Sequence, residues 1–172
     1  MRWASACETD STIGLTALVN RGMLIVAAAD NDERNLDAPG AAPFYMPSFS
    51  NEGILSVSSS GQYDSVGGAY GQCAVDIRAP GIDIYSTLPP PVWFERRTGT
   101  SMATAFVSGA AALVLSACPA LTVQQLKSVL MNAVDPIDQY GHPVRSSGRL
   151  NVKRAVNDCN GSGFIPAVVP CS

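Results

Sequence analysis

Blocks of like charge are missing from this chain. Only 15% of its 172 residues are charged, and the net charge is −3. The eleven basic residues are scattered apart from the pairs Arg96-Arg97 and Lys153-Arg154, so there is no basic patch for a nucleic-acid backbone. Metal-ligand spacing is missing too. Five cysteines (Cys7, Cys73, Cys118, Cys159, Cys171) form no CxxC pair, and His142 is the only histidine, so neither a metal nor a cofactor is expected. The longest small-apolar stretch, 103–115, is broken by Ser108 and Gly109 and is too short for a bilayer; no membrane partner is expected. No basic stretch, apolar run and cleavage site open the sequence, so no signal peptide is visible. Repeats and low-complexity tracts are absent. What remains, 47% apolar, is the composition of a folded chain with one core.

The cysteine count is odd, which leaves at least one unpaired within the chain. Cys118 ends an apolar helix and reads as a small buried hydrophobe. Cys159 and Cys171 flank a Gly/Pro-rich tail and could close a loop in an oxidising compartment.

Element signals alternate along the chain. Asp10-Ser11 followed by Ile13, Leu15, Leu18 and Val19 fits a capped amphipathic helix, with Gly22 as its stop. Residues 23–29 are apolar at every position, as in a strand buried on both faces with neighbours on both edges. Residues 30–50 read as a long loop, 54–58 as a second strand, and 82–88 and 92–98 as two extended segments around three prolines. The strongest helix signal, 101–116, is rich in Ala, Gly and Ser and apolar all round, which predicts a central buried helix. Thr122 caps a further helix at 123–132, and 150–156 is a short last one. Helices alternating with apolar strand runs give an α/β fold with a mainly parallel sheet and flanking helices.

Two residues could carry chemistry. Ser101 opens the small-sided helix behind Gly99-Thr100, where the positive end of the helix dipole and unsatisfied N–H groups would stabilise a developing anion. A plain N-cap serine fits the same position. Asn31 follows the buried strand at its carboxyl end, where open α/β sheets place their ligands, and its amide could donate to an oxyanion. A turn-forming asparagine fits equally well.

The surrounding words separate these readings. Gly99-Thr-Ser-Met-Ala-Thr-Ala-Phe-Val-Ser-Gly-Ala-Ala-Ala-Leu113 closely resembles the reactive-serine signature of the subtilisin family. Ile25-Val-Ala-Ala-Ala-Asp-Asn31 resembles the strand that leads to its oxyanion asparagine. Val75-Asp-Ile-Arg-Ala-Pro-Gly81 with Ile84-Tyr-Ser-Thr-Leu88, and Gly148-Arg-Leu-Asn-Val-Lys-Arg-Ala-Val156, are similar to the segment before the serine and to the closing helix. They occur in the family's order and cover about residues 10–157. The resemblance implies the C-terminal portion of a subtilisin-like peptidase domain over 1–157, with three-layer architecture left incomplete, and a Gly/Pro/Cys-containing tail over 158–172. It implies a serine endopeptidase of peptide or protein substrates, with Ser101 as nucleophile and the Asn31 amide and Ser101 N–H as oxyanion donors. Thr100 would lend support, and Ala28, Ala29 and Asp30 would line one wall of the substrate pocket. The parent enzyme would be secreted or in the secretory pathway. Tyr45-Met-Pro-Ser resembles a family segment with a cis proline, so the Met46–Pro47 bond is expected to be cis.

This sequence departs from the family's pattern in four ways. The Asp and His motifs that precede the serine do not occur, so a missing N-terminal half is the expected partner. Asp30 stands where glycine usually precedes the asparagine. Ala105 replaces a proline in the helix's first turn, where alanine fits without strain. The strand of the other pocket wall has no counterpart near residue 1. Two alternatives stand beside this reading. An α/β-hydrolase triad of Ser101, Asp135 or Asp138, and His142 has the right order, but residues 99–103 lack that fold's second glycine. The other is a catalytically inactive module that keeps the fold for a binding or structural role.

Overall fold

The computed structural model describes residues 13–41, 52–138 and 140–160. A helical stretch at 13–19 (α1) ends at Gly22, whose φ of +86° is the conformation that suits glycine after a helix. Eight strands follow: β1 (Ile25–Ala28), β2 (Ile54–Ser60), β3 (Val66–Gly67), β4 (Ile77–Pro80), β5 (Ile84–Thr87), β6 (Phe94–Arg97), β7 (Val134–Pro136) and β8 (Gly148–Leu150). Helices α2 (Thr100–Ala117), α3 (Val123–Asn132) and α4 (Val152–Asp158) complete the list.

The main sheet runs β1-β2-β4-β8-β7, parallel from β1 to β8, with β7 antiparallel at one edge and β3 added antiparallel to β2. Strands β5 and β6 form a separate hairpin. The alternation of β2 and β4 decides what each face of the sheet meets. Leu55, Val57, Ile77 and Ala79 share one core with Ala103, Val107 and Val114 of α2, joined by Leu126 and Leu130 of α3 and Ala155 of α4. The intervening residues Ser56, Ser58, Asp76 and Arg78 are buried on the other face. There Ser58 Oγ lies 2.8 and 2.7 Å from the Gly67 and Ala69 carbonyls. Arg78 donates to Ser58, Ser59, Gly67 and His142 oxygens. Burial pulls the Arg78 pKa down to about 10, so the side chain remains a cation at neutral pH.

Several expectations are corrected. The 101–116 helix starts one residue earlier and is buried on one stripe only: Thr100, Ala103, Val107, Ala110, Ala111 and Val114. Phe106, Leu113 and Leu115 on its other side are 46%, 56% and 37% exposed, because the sheet and the other helices reach only one side. At 18 residues with mean hydropathy 1.5, α2 could cross a membrane by length and composition, but core helices meet the same criterion and this one is seated on the sheet. β1 stands at the sheet's end and pairs, among the described residues, with β2 alone, which leaves open the edge that a missing half was expected to cover. Leu150 belongs to β8, where it pairs with Val134, so the last helix begins only after Asn151 caps it. Thr122 caps α3 through a reciprocal capping box with Gln125. The Met46–Pro47 bond lies outside the described residues.

Cys118 is not a lone hydrophobe. It is disulfide-bonded to Cys159, tying the end of α2 to the end of α4 across a sequence separation of 41. This also removes Cys159 from the expected pairing with Cys171. Cys73 is disulfide-bonded as well. Closing a loop of that length restricts the unfolded chain by about 4 kcal/mol in the chain-entropy picture. In the complex with an N-terminal half, replacing both Cys118 and Cys159 by alanine should therefore lower the unfolding free energy by roughly that amount in urea titrations, with little change in the native circular dichroism. A loss under about 1 kcal/mol would mean that the bridge constrains little.

Candidate active site

The site lies where β1 ends and α2 begins. Gly99, not Ser101, is the N-cap of α2, and it makes no side-chain cap. The N-cap alternative for Ser101 is thereby removed: Ser101 sits in the helix's first turn with an exposed side chain. The backbone donors of this turn have distinct destinations. Thr100 N–H goes to Asn31 Oδ1 at 2.8 Å, while Met102 and Ala103 N–H both reach the Gly99 carbonyl. Among the described residues no hydrogen bond from the Ser101 N–H is seen, as expected for one of the orphan donors of a helix start.

Asn31 is 69 positions from Thr100, yet the two are in direct contact. Its Oδ1 also accepts from Thr100 Oγ1 at 3.2 Å. A backbone N–H can only donate, so it fixes which end of the amide is the oxygen. The amide nitrogen must therefore point away from Thr100, and Asn31 is exposed. A Cβ on Gly99 would lie 3.1 Å from Asn31 Oδ1 and 3.5 Å from its Nδ2, so the absence of a side chain there lets the asparagine lie against the helix start. Gly68, at φ +75°, serves the same cluster. A Cβ on it would meet Thr100 Cγ2 at 2.5 Å and the Asp30 carbonyl at 2.9 Å.

The pocket-wall residues divide. Ala28 is half-buried at the end of β1, whereas Ala29 is fully buried with Ala69, Val75 and Val144. Ala29 is enclosed as a whole residue, its N–H bonded to the Val57 carbonyl, so it presents no surface to a ligand. Asp30 has φ +96°, and its carboxylate is engaged by Arg34 in an ion pair of 2.9 Å. Thr100 is buried beneath Asn31. Sequence reasoning missed Arg34 and Gly68; the opposite charges four positions apart at 30 and 34 were the available signal.

The hydrolase alternative finds no support in this arrangement. His142 packs against Tyr70 with ring centroids 4.3 Å apart and planes tilted by 32°, and its carbonyl is held by Arg78. Asp135 lies on β7, at the opposite edge of the sheet from β1, bound to Asn151 and Arg154, and Asp138 accepts from the Tyr140 N–H. Among the described residues no hydrogen bond joins any of these three to Ser101.

Ser101, exposed in the first turn of a sheet-backed helix, and Asn31, bound to that helix start through Thr100, make up the candidate site. The Subtilase family model matches residues 2–158, and the chain belongs to that family. It is 35% identical over 139 residues to thermitase of Thermoactinomyces vulgaris, covering 80% of this chain and 45% of thermitase. It is also 35% identical over 140 residues to the extracellular serine proteinase of Thermus sp. (strain Rt41A), covering 77% of this chain and 30% of that protein. Among solved structures, the subtilase cytotoxin SubAB assembly gives a TM-score of 0.73 at 25% identity, over 86% of this chain and 52% of the matched chain. The A-subunit of the AB5 toxin from E. coli gives the same score and identity over 87% and 56%. The chain thus spans about half, or less, of the length of these relatives.

Proposed function

We propose that this chain is the nucleophile and oxyanion portion of a serine endopeptidase. Ser101 Oγ attacks a substrate peptide carbonyl and forms an acyl-enzyme. Its proton passes to a histidine outside this chain, which returns it to the leaving amine, and water then releases the acyl group. The Asn31 amide and the Ser101 N–H bind the carbonyl oxygen as it becomes negative. Thr100 holds the asparagine, and the partly exposed Ala28 and Asp30 line the substrate's path. The aspartate and histidine come from the N-terminal half of such a domain, and this chain supplies its C-terminal portion.

The observation that carries this reading is the bond from Thr100 N–H to Asn31 Oδ1, which holds the asparagine against the start of the helix that carries Ser101. The sequence favours a second reading, an inactive module, because His142 is its only histidine. A fluorophosphonate probe separates the two. The chain alone should label slowly or not at all, and co-expression with the N-terminal half of a thermitase-type domain should bring labelling that Ser101→Ala abolishes. A folded, co-purifying complex that stays unlabelled would favour the inactive module.

A further inference from the structure

The residue before Asn31 is in an unusual state. Asp30 has φ +96°, a conformation in which a side chain crowds its own backbone and which glycine adopts freely. Both of its carboxylate oxygens are occupied close by. Oδ1 accepts the N–H of Asn31 at 2.7 Å, while Oδ2 receives Arg34 Nε at 3.1 Å and Arg34 Nη2 at 2.9 Å. The main chain on either side is anchored to other parts of the fold. Ala29 N–H reaches Val57, the Asp30 carbonyl accepts from Ala69, and the Arg34 carbonyl accepts from Tyr70. Between these anchors, the ion pair closes a ring around Asn31.

We propose that Asp30 and Arg34 form a brace that positions Asn31, a carboxylate and a guanidinium replacing the backbone freedom of a glycine. Short polar side chains tolerate positive φ best when they bond to their own local backbone, and the Asn31 N–H provides that bond. Two arginine donors converge on Oδ2 while the Asn31 N–H holds Oδ1, so the carboxylate is tethered at both oxygens, and with it the Asn31 peptide. Asp30 therefore does not offer its charge to a substrate side chain, although it stands at the edge of the candidate pocket. Both are positioning residues and neither touches the reacting atoms. The importance of Asn31 rests on the proposed function; the brace itself does not.

Hydrogen exchange of single amides, measured on the complex with an N-terminal half, tests the brace directly. The Thr100 N–H is the reporter because it donates to Asn31. Arg34→Ala should speed exchange at Thr100 and Asn31 by roughly fivefold or more, the size set by a partly exposed ion pair, while the amides of β2 and β4 stay unchanged. Arg34→Lys should restore part of the protection. Asp30→Asn keeps the acceptor for Asn31 N–H and should fall between wild type and Asp30→Ala, whereas Asp30→Gly should retain most of the order through its freedom at positive φ. On peptide substrates, Arg34→Ala should lower kcat with KM nearly unchanged. Exchange at Thr100 within twofold of wild type in Arg34→Ala would overturn the proposal, and so would faster exchange spread evenly over the chain. A gain in cleavage beside lysine or arginine, without altered exchange, would also overturn it by showing Asp30 to be a substrate contact. If the exchange responds as stated and hydrolysis does not, the brace stands and the oxyanion role of Asn31 falls.

Discussion

Combined with the N-terminal half of a thermitase-type domain, this chain is expected to hydrolyse peptides, and Ser101→Ala should lower kcat by about 10⁶-fold, a size taken from subtilisin itself. Asn31→Ala in the same complex should lower kcat by about 10²–10³-fold with KM nearly unchanged, again the size known for subtilisin. The asymmetry between kcat and KM follows from when the amide acts. Its partner is a full negative charge only in the transition state, so the ground-state complex loses little. Without the added half, Ser101 keeps an ordinary hydroxyl, since a serine is weakly nucleophilic until a base takes its proton. The chain alone should therefore cleave nothing above background. Activity that survives purification of the single chain and disappears in Ser101→Ala would reverse this account and return His142 to consideration as the base.

Legibility in the sequence tracks the range of the interaction. α3 was readable because Thr122 and Gln125 cap it within one turn, and β2 because an apolar start followed by serines is a local pattern. β7 and β8 were not, because three-residue strands around Asp135 and Arg149 exist only through pairing with distant segments, β8 with β4 and β7 with β8. That pairing also captured Leu150 from the helix assigned to it. The Cys118–Cys159 bridge is a tertiary fact that no spacing encodes, and the cysteine count alone pointed elsewhere. At the site, Ser101 and Asn31 were found through the resemblance of their flanking words. Their contact through Thr100 is separated by 69 positions and became visible only in three dimensions. The strain at Asp30 was half legible: an aspartate in a glycine's place announces an unusual φ, but not the arginine that accommodates it.

Expressed by itself, the chain should associate or remain loosely packed, and an N-terminal half should rescue it. Two uncovered features motivate this. β1 presents an edge that pairs with nothing among the described residues, next to Met23 at 50% exposure, and an open edge is a template for another strand. On α2, Phe106, Leu113 and Leu115 face away from the core, with small residues between them that would let another element approach closely. Fully burying a side chain of that size contributes about 1.5–3 kcal/mol, and with about half of each still exposed the three together would add about 2–4 kcal/mol, a sizeable part of a domain's net stability. The expected signs are dye binding to apolar surface, a broad thermal transition and a concentration-dependent size, all lost on co-expression with the complementing half. Substitution gives the sharper contrast. Phe106→Lys with Leu113→Lys should make the lone chain more soluble, because both side chains already face water. In the complex the same pair should cost several kcal/mol and block assembly, because two unpaired charges would then be buried. A single chain that is monodisperse, melts in one cooperative step and binds no dye would show that it is complete without a partner. Complexation unaffected by the two lysines would show that a different face is covered.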